Sequence, residues 1–159
     1  EFNSRTGFRI RLHYCGPSSE HALSEVRATG TEDLCDVQGS LPRSTTLSMQ
    51  ARAMINCVIC GVDIRAEGFR RGILTGKLFD CLSVERPILI IAPENSDVEK
   101  MFAGRPGVEC VPAKMDRIVE AIGRLRNAKL NAADYEEYSW SKLSHMLDGL
   151  LMSILKKDV

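Results

Sequence analysis

Residues 87–93 read PILIIAP, a run with no charged and no hydrogen-bonding side chain, closed by proline at both ends. It is far shorter than the roughly 20 apolar residues a membrane-spanning helix needs. A strand with one wet face alternates apolar and polar residues. A run apolar at every position is the signature of a parallel strand covered on both faces. CVICGVD (57–63) has the same character, so the rest of the chain must supply the helices that cover two such strands.

It offers them in alternation. FRIRLHYCG (8–16) is strand-like, and PSSEHALSEVRAT (17–29) is helix-like, with Ala22, Leu23 and Val26 on one face. LCDVQG (34–39) is a short strand. LPRSTTLSMQARAMI (41–55) predicts a helix capped by Ser44, with Leu47, Ala51 and Met54 on its apolar side. VECVP (108–112) reads as a further strand, and MDRIVEAIGRLRNA (115–128) as a helix with Ile118, Ile122 and Leu125 in register. Strands alternating with helices imply an α/β fold, Rossmann-like, with three α/β/α layers around a parallel sheet and right-handed crossovers. The chain of 159 residues is long enough for one such domain, here residues 8–159. Residues 1–7 read as a tag or linker.

The last helical pattern is different. YSWSKLSHMLDGLLMSILKK (138–157) carries Leu143, Leu147, Leu150, Leu151 and Ile154 on one stripe. The expectation is that the stripe covers the sheet, with Tyr138 and Trp140 as packing anchors at its start. The alternative is that it docks on something outside this chain.

Charge narrows the function classes. With 21 basic and 21 acidic residues the formal net charge is zero, which argues against nucleic-acid binding through a broad basic face. EFNSRTGFRIRL at the start has no apolar core of a signal peptide. The six cysteines, Cys15, Cys35, Cys57, Cys60, Cys81 and Cys110, mostly lie inside apolar runs and read as small buried hydrophobes in a reduced, cytoplasmic setting. Cys57 and Cys60 form a CxxC, but in a strand residues three apart point to opposite faces, so no metal site is expected there.

Ligands of open parallel sheets sit outside the carboxyl ends of the strands. Three loops qualify: CGPSSE after Tyr14, GSLPRS after Gln38, and the long VDIRAEGFRRGILTG after Gly61. The long loop ends at Gly76-Lys77, where a helix begins and backbone N–H groups favour an anion. Lys77 would add a charge for phosphate there, and Asp80, one turn on, could accept from a sugar hydroxyl. Ordinary helix capping is the competing account. A P-loop is excluded: Arg71 stands where its first glycine belongs, Leu78 follows the lysine, and no strand directly precedes. GxGxxG and GxSxG are also missing, and His13, His21 and His145 show no metal spacing. Arg65, Arg70 and Arg71 read as a phosphate site or, more simply, a solvated loop.

The order of RLHYCGPSSEHALSEV, VQGSLPRSTTLSMQARAMINCVICGVD and GILTGKLFDCLSVERPILIIAPENSDVEKMF resembles the C-terminal, donor-binding half of GT-B glycosyltransferases, nearest to bacterial cytoplasmic enzymes of surface-polysaccharide synthesis. That family carries a Gly-Lys-Leu/Ile-Phe-Glu-Tyr-Leu run followed by a Pro-Ile/Val-Leu strand. Gly76, Lys77, Leu78, Phe79, Leu82, Pro87, Ile88 and Leu89 match it. The likeness covers about residues 8 to 155.

The resemblance implies a sugar transferase using a nucleoside diphosphate sugar, with no further cofactor, no metal and no catalytic residue in this half. It assigns donor binding to Gly16, Gly39, Ser40, Leu41, Gly72, Leu74, Thr75, Gly76, Lys77 and Asp80. Asp80 would hold the ribose hydroxyls, Gly76 and Lys77 the diphosphate, and Gly39–Leu41 the base. Three positions depart from the family pattern: Gly72 replaces the glutamate that contacts the donor sugar, Asp80 replaces glutamate, and Cys81 replaces tyrosine. The family's first strand of this half would precede residue 8, and an N-terminal acceptor-binding domain would precede that. The resemblance therefore implies half of a two-domain site, inactive alone, with an exposed apolar patch where the partner domain docks. It implies no transmembrane segment and allows peripheral membrane association of the full enzyme. A non-catalytic α/β interaction module with a degenerate donor site is the alternative, and a flavodoxin-like phosphate-binding domain a further one.

Overall fold

The structure, a computed structural model, describes residues 9–61 and 74–155. The long loop with Arg65, Arg70, Arg71 and Gly72, and the leading residues 1–7, lie outside the described residues. The chain divides into two compact units, Glu1–Met49 and Gln50–Val159.

In the first unit, β1 (Leu12–Cys15) pairs in parallel with β2 (Cys35–Gln38), Leu12 standing opposite Cys35 and His13 opposite Asp36. Helix α1 (Ser19–Thr29) makes the crossover. It stops at Gly30, whose φ of 62° lets the N–H groups of Gly30 and Thr31 fold back onto the carbonyls of Arg27 and Val26. No residue of β1, α1 or β2 is buried. The expected face of Ala22, Leu23 and Val26 forms but stays shallow.

Helix α2 (Arg43–Arg52) follows. Ser44 is not its cap. The first helical bond runs from Thr46 N–H to the Pro42 carbonyl, so the cap position falls on Pro42 and Ser44 lies inside the first turn. The helix also ends two residues short of Met54, which is exposed.

The second unit is built on β3 (Asn56–Ile59), β4 (Ile88–Ile91) and β5 (Val108–Val111), all parallel and adjacent in that order, with Asn56, Ile88 and Val108 in register. The sequence pattern predicts one parallel sheet; the described residues form two small ones. The period of two along the strands divides this unit's core in two. Val58, Ile88, Ile90, Ala92 and Val108 face α3 (Gly76–Leu82) and α4 (Asp97–Phe102), meeting Leu78, Cys81, Leu82, Val98 and Phe102. Leu89 and Val111 face α5 (Met115–Leu125), meeting Ala121 and Leu125, with Ile118 and Ile122 at the margin. Helices thus cover both faces, which is why PILIIAP is apolar throughout. The same alternation sets Cys57 and Cys60 to opposite sides, Cys60, just past β3, buried and Cys57 exposed. With Ile59 exposed as well, β3 is covered on one face only, not on both as its apolar run predicts, because α5 packs over β4 and β5.

After α5 the chain packs back. Gly107, at φ 73°, lies so close to the Lys129–Leu130 backbone that an added Cβ would stand 2.7 Å from the Lys129 carbonyl. A 3-10 segment (Ala132–Tyr138) then lays Tyr135 and Tyr138 against Phe102, at ring-centre distances of 6.2 and 5.7 Å. Tyr138 also meets Phe79 at 6.0 Å, and the Tyr135 hydroxyl donates to the Pro106 carbonyl.

Helix α6 (Trp140–Leu155) does not do what its stripe predicts. It has no buried residue. Trp140 is 88 % exposed, and Leu143, Leu147, Leu150, Leu151 and Ile154 are between 42 and 59 % exposed. Both faces of the β4–β5 region are already occupied by α3, α4 and α5, so the stripe finds no sheet surface there. Of the two expected anchors, Tyr138 packs and Trp140 does not.

Candidate functional site

The start of α3 is the best-defined of the candidate positions. Parallel β3 and β4 force the connecting helix to run back along the sheet, which sets its N-terminus at the carboxyl end of β3. Packing holds it there: Leu78 and Cys81 of the helix share one buried cluster with Val58 of β3 and Cys60, the residue just past it. Burial raises the Cys60 pKa. Thr75 is the helix cap, its Oγ1 accepting from Lys77 N–H at 3.2 Å. Capping therefore accounts for Thr75.

It does not account for Lys77 or Asp80. Leu78, Cys81 and Leu82 turn into the core, which leaves Gly76 and Lys77 exposed and Asp80 half-buried, one turn on from the lysine. Asp80's main-chain carbonyl accepts from the Ser83 hydroxyl at 2.7 Å. Cys81, where the family pattern has tyrosine, points inward against Gln50, whose Nε2 lies 3.5 Å from the sulfur. Burial first, and then the neighbouring Asp80 charge, push the Cys81 thiol up to about 11, so it stays protonated at neutral pH. Leu74 is exposed just before the cap.

The predicted site residues fall in different places. Leu74, Thr75, Gly76, Lys77 and Asp80 belong to the second unit and lie within one loop end and helical turn. Gly16, Gly39, Ser40 and Leu41 belong to the first unit, Gly16 just past β1 and the other three just past β2. Gly72 is outside the described residues. Beside β1 and β2, His13 Nδ1 lies 3.1 Å from Asp36 Oδ2, and Gln38 Nε2 donates to the same oxygen at 2.9 Å. His13 is thus a paired surface residue.

Sequence reasoning missed one feature. At the carboxyl ends of β4 and β5, Glu94, Asn95, Glu99, Cys110, Lys114 and Arg117 line an open cleft of about 430 Å³. Its polar groups largely satisfy one another. Lys114 Nζ meets Glu94 Oε1 at 3.1 Å, and Glu99 accepts from Asn95 N–H beside the Ser96 cap of α4. Applying the carboxyl-end rule to PENSD and PAKMDR as well as to the three long loops would have found it. No group of three or more His, Cys, Asp or Glu among the described residues is placed to hold a metal ion. No helix among them is long and apolar enough to cross a membrane.

Compared with known protein families, with curated proteins and with solved structures, the chain gives no match in any of the three.

Proposed function

We propose that this chain is the nucleotide-sugar-binding, C-terminal domain of a GT-B glycosyltransferase, an enzyme that moves a sugar from a nucleoside diphosphate to an acceptor in surface-polysaccharide or glycoconjugate synthesis. The observation that carries the reading is the start of α3. A helix packed against the carboxyl end of β3 through Leu78, Cys81, Val58 and Cys60 keeps its apolar side in the core and leaves Lys77 exposed, with the half-buried Asp80 one turn on. In this reading Lys77 and the Gly76 backbone meet the diphosphate, while Asp80 accepts from ribose hydroxyls. Gly16, Gly39, Ser40, Leu41, Gly72, Leu74 and Thr75 complete the donor site on the strength of the resemblance. Such a domain acts by positioning the donor and stabilising the departing diphosphate.

The proposed setting is the cytoplasm, with the full enzyme a peripheral visitor to the membrane.

The test is an amide-shift NMR titration with UDP, GDP, ADP, dTDP and inorganic phosphate, repeated on Lys77→Ala. The expected result is shifts at Gly39–Leu41 and Thr75–Asp80 with one nucleotide, weakened about tenfold or more in the variant, the loss of one charge-assisted contact. Equal shifts with plain phosphate would favour a generic phosphate-binding domain. No shift with any nucleotide would favour the interaction module with a degenerate site.

A further inference from the structure

Helix α3 is seven residues long, well short of the roughly 12–15 at which a helix holds itself together in water. Its orientation is therefore set by what it packs on. Leu78, Cys81 and Leu82 bury one side and Thr75 caps one end, which leaves rotation about the helix axis to the flanks. Lys77 and Phe79 are two residues apart, about 200° around a helix, and lie on opposite flanks. On the Phe79 flank stands Tyr138, the two rings tilted by 57° with centres 6.0 Å apart, the geometry aromatic pairs favour.

Tyr138 is held in place from outside α3. Its ring also packs at 5.7 Å on Phe102 of α4, a fully buried side chain. The 3-10 segment that carries it is fastened at three residues. Glu85, in the turn before β4, accepts from Ala132 N–H at 3.3 Å, and the Pro106 carbonyl accepts from the Tyr135 hydroxyl. Arg105 meets Glu137 at 2.7 Å and donates to the Asp134 carbonyl at 3.3 Å. The segment is thus a strap laid along α3 and α4, and Tyr138 is its fixed end against α3. We propose that Tyr138 is a positioning residue, whose ring sets the angle at which α3 presents Lys77 and Asp80. What those two residues bind rests on the donor-site reading; the orientation of α3 does not.

Residual dipolar couplings of the backbone amides, measured without ligand, test the orientation, and titration with UDP, GDP, ADP and dTDP tests its consequence. In Tyr138→Ala the couplings of Lys77–Leu82 should change relative to those of β4, while those of α5 hold. Whichever nucleotide binds the wild type should bind this variant about tenfold more weakly, the loss of one charge-assisted contact. Tyr138→Phe keeps the ring and should match the wild type in both. Ile118→Ala, half-buried against the opposite face of the sheet, should lower the melting temperature and leave α3 and the affinity as they are. Unchanged α3 couplings in Tyr138→Ala would overturn the proposal, as would equal changes in Ile118→Ala, or changed couplings with full affinity. If the wild type binds none of the nucleotides, the donor reading falls, and the couplings alone decide whether Tyr138 orients α3.

Discussion

Helices α5 and α6 both belong to the second unit and look alike as sequence, each an amphipathic run with isoleucine and leucine at helical spacing. They end up in opposite environments. Helix α5 buries Ala121 and Leu125 against Leu89 and Val111, while α6, the more apolar of the two, buries nothing. An apolar stripe thus states that a helix needs a partner surface, and only the remaining elements determine whether one is available. By the time the chain reaches Trp140, α3 and α4 have taken one face of the sheet and α5 has taken the other over β4 and β5.

The sharpest way to break this comparison is a matched pair of truncations. Leu125→Ala, in a fully packed position, should cost about 2–5 kcal/mol of stability, whereas Leu150→Ala should lie within roughly 0.5 kcal/mol of wild type at concentrations where the chain is monomeric. Urea denaturation of the two variants gives both numbers. Equal losses would mean that α6 is packed in solution.

A second substitution probes the junction that carries the chain from α5 to the tail. At Gly107 a left-handed φ coincides with a 2.7 Å approach to the Lys129 carbonyl, so Gly107→Ala adds strain and a backbone clash together. The expected loss is about 1–3 kcal/mol. Amide exchange should rise at Lys129–Tyr138 and stay unchanged in α6, which has no burial to lose.

The smallest expected effect lies in the first unit. The hydrogen bond from Gln38, followed by that with His13, holds the Asp36 carboxyl below its usual range. A folded pKa below the unfolded one means the contribution is complete at neutral pH and is lost as pH falls through the folded value. Amide protection of β1 and β2 should therefore drop in acid, and Asp36→Asn should flatten that drop. Because the group is at the surface, the change is small. An identical acid profile in the variant would show that the pair contributes nothing.

How far the residues alone reach varies along the chain. PILIIAP declares itself a doubly covered strand because two covered faces forbid polar side chains, and β4 is that strand. The register of Ile118, Ile122 and Leu125 likewise names the inner side of α5. Ser44 misleads because a cap depends on where the first carbonyl bond closes, and Pro42 closes it. At the candidate site, Gly76, Lys77 and Asp80 are legible as a helix start. That Thr75 caps it is a local contact two residues long which the sequence reading passed over, whereas the packing of Leu78 and Cys81 against Cys60 depends on the return of the chain. The cleft at Glu94, Cys110 and Lys114 was within reach of the carboxyl-end rule, though which side chains meet there depends on the return of the chain.

The sequence by itself determined the alternation of strands and helices, the parallel pairing and the double covering of β4, though not the bare face of β3, because side-chain period and the need to satisfy backbone hydrogen bonds are local demands. Only the tertiary structure decided that the strands form two sheets rather than one, that Tyr138 packs while Trp140 does not, and that α6 is left bare. Those outcomes depend on competition for a finite apolar surface, which is a property of the assembled chain.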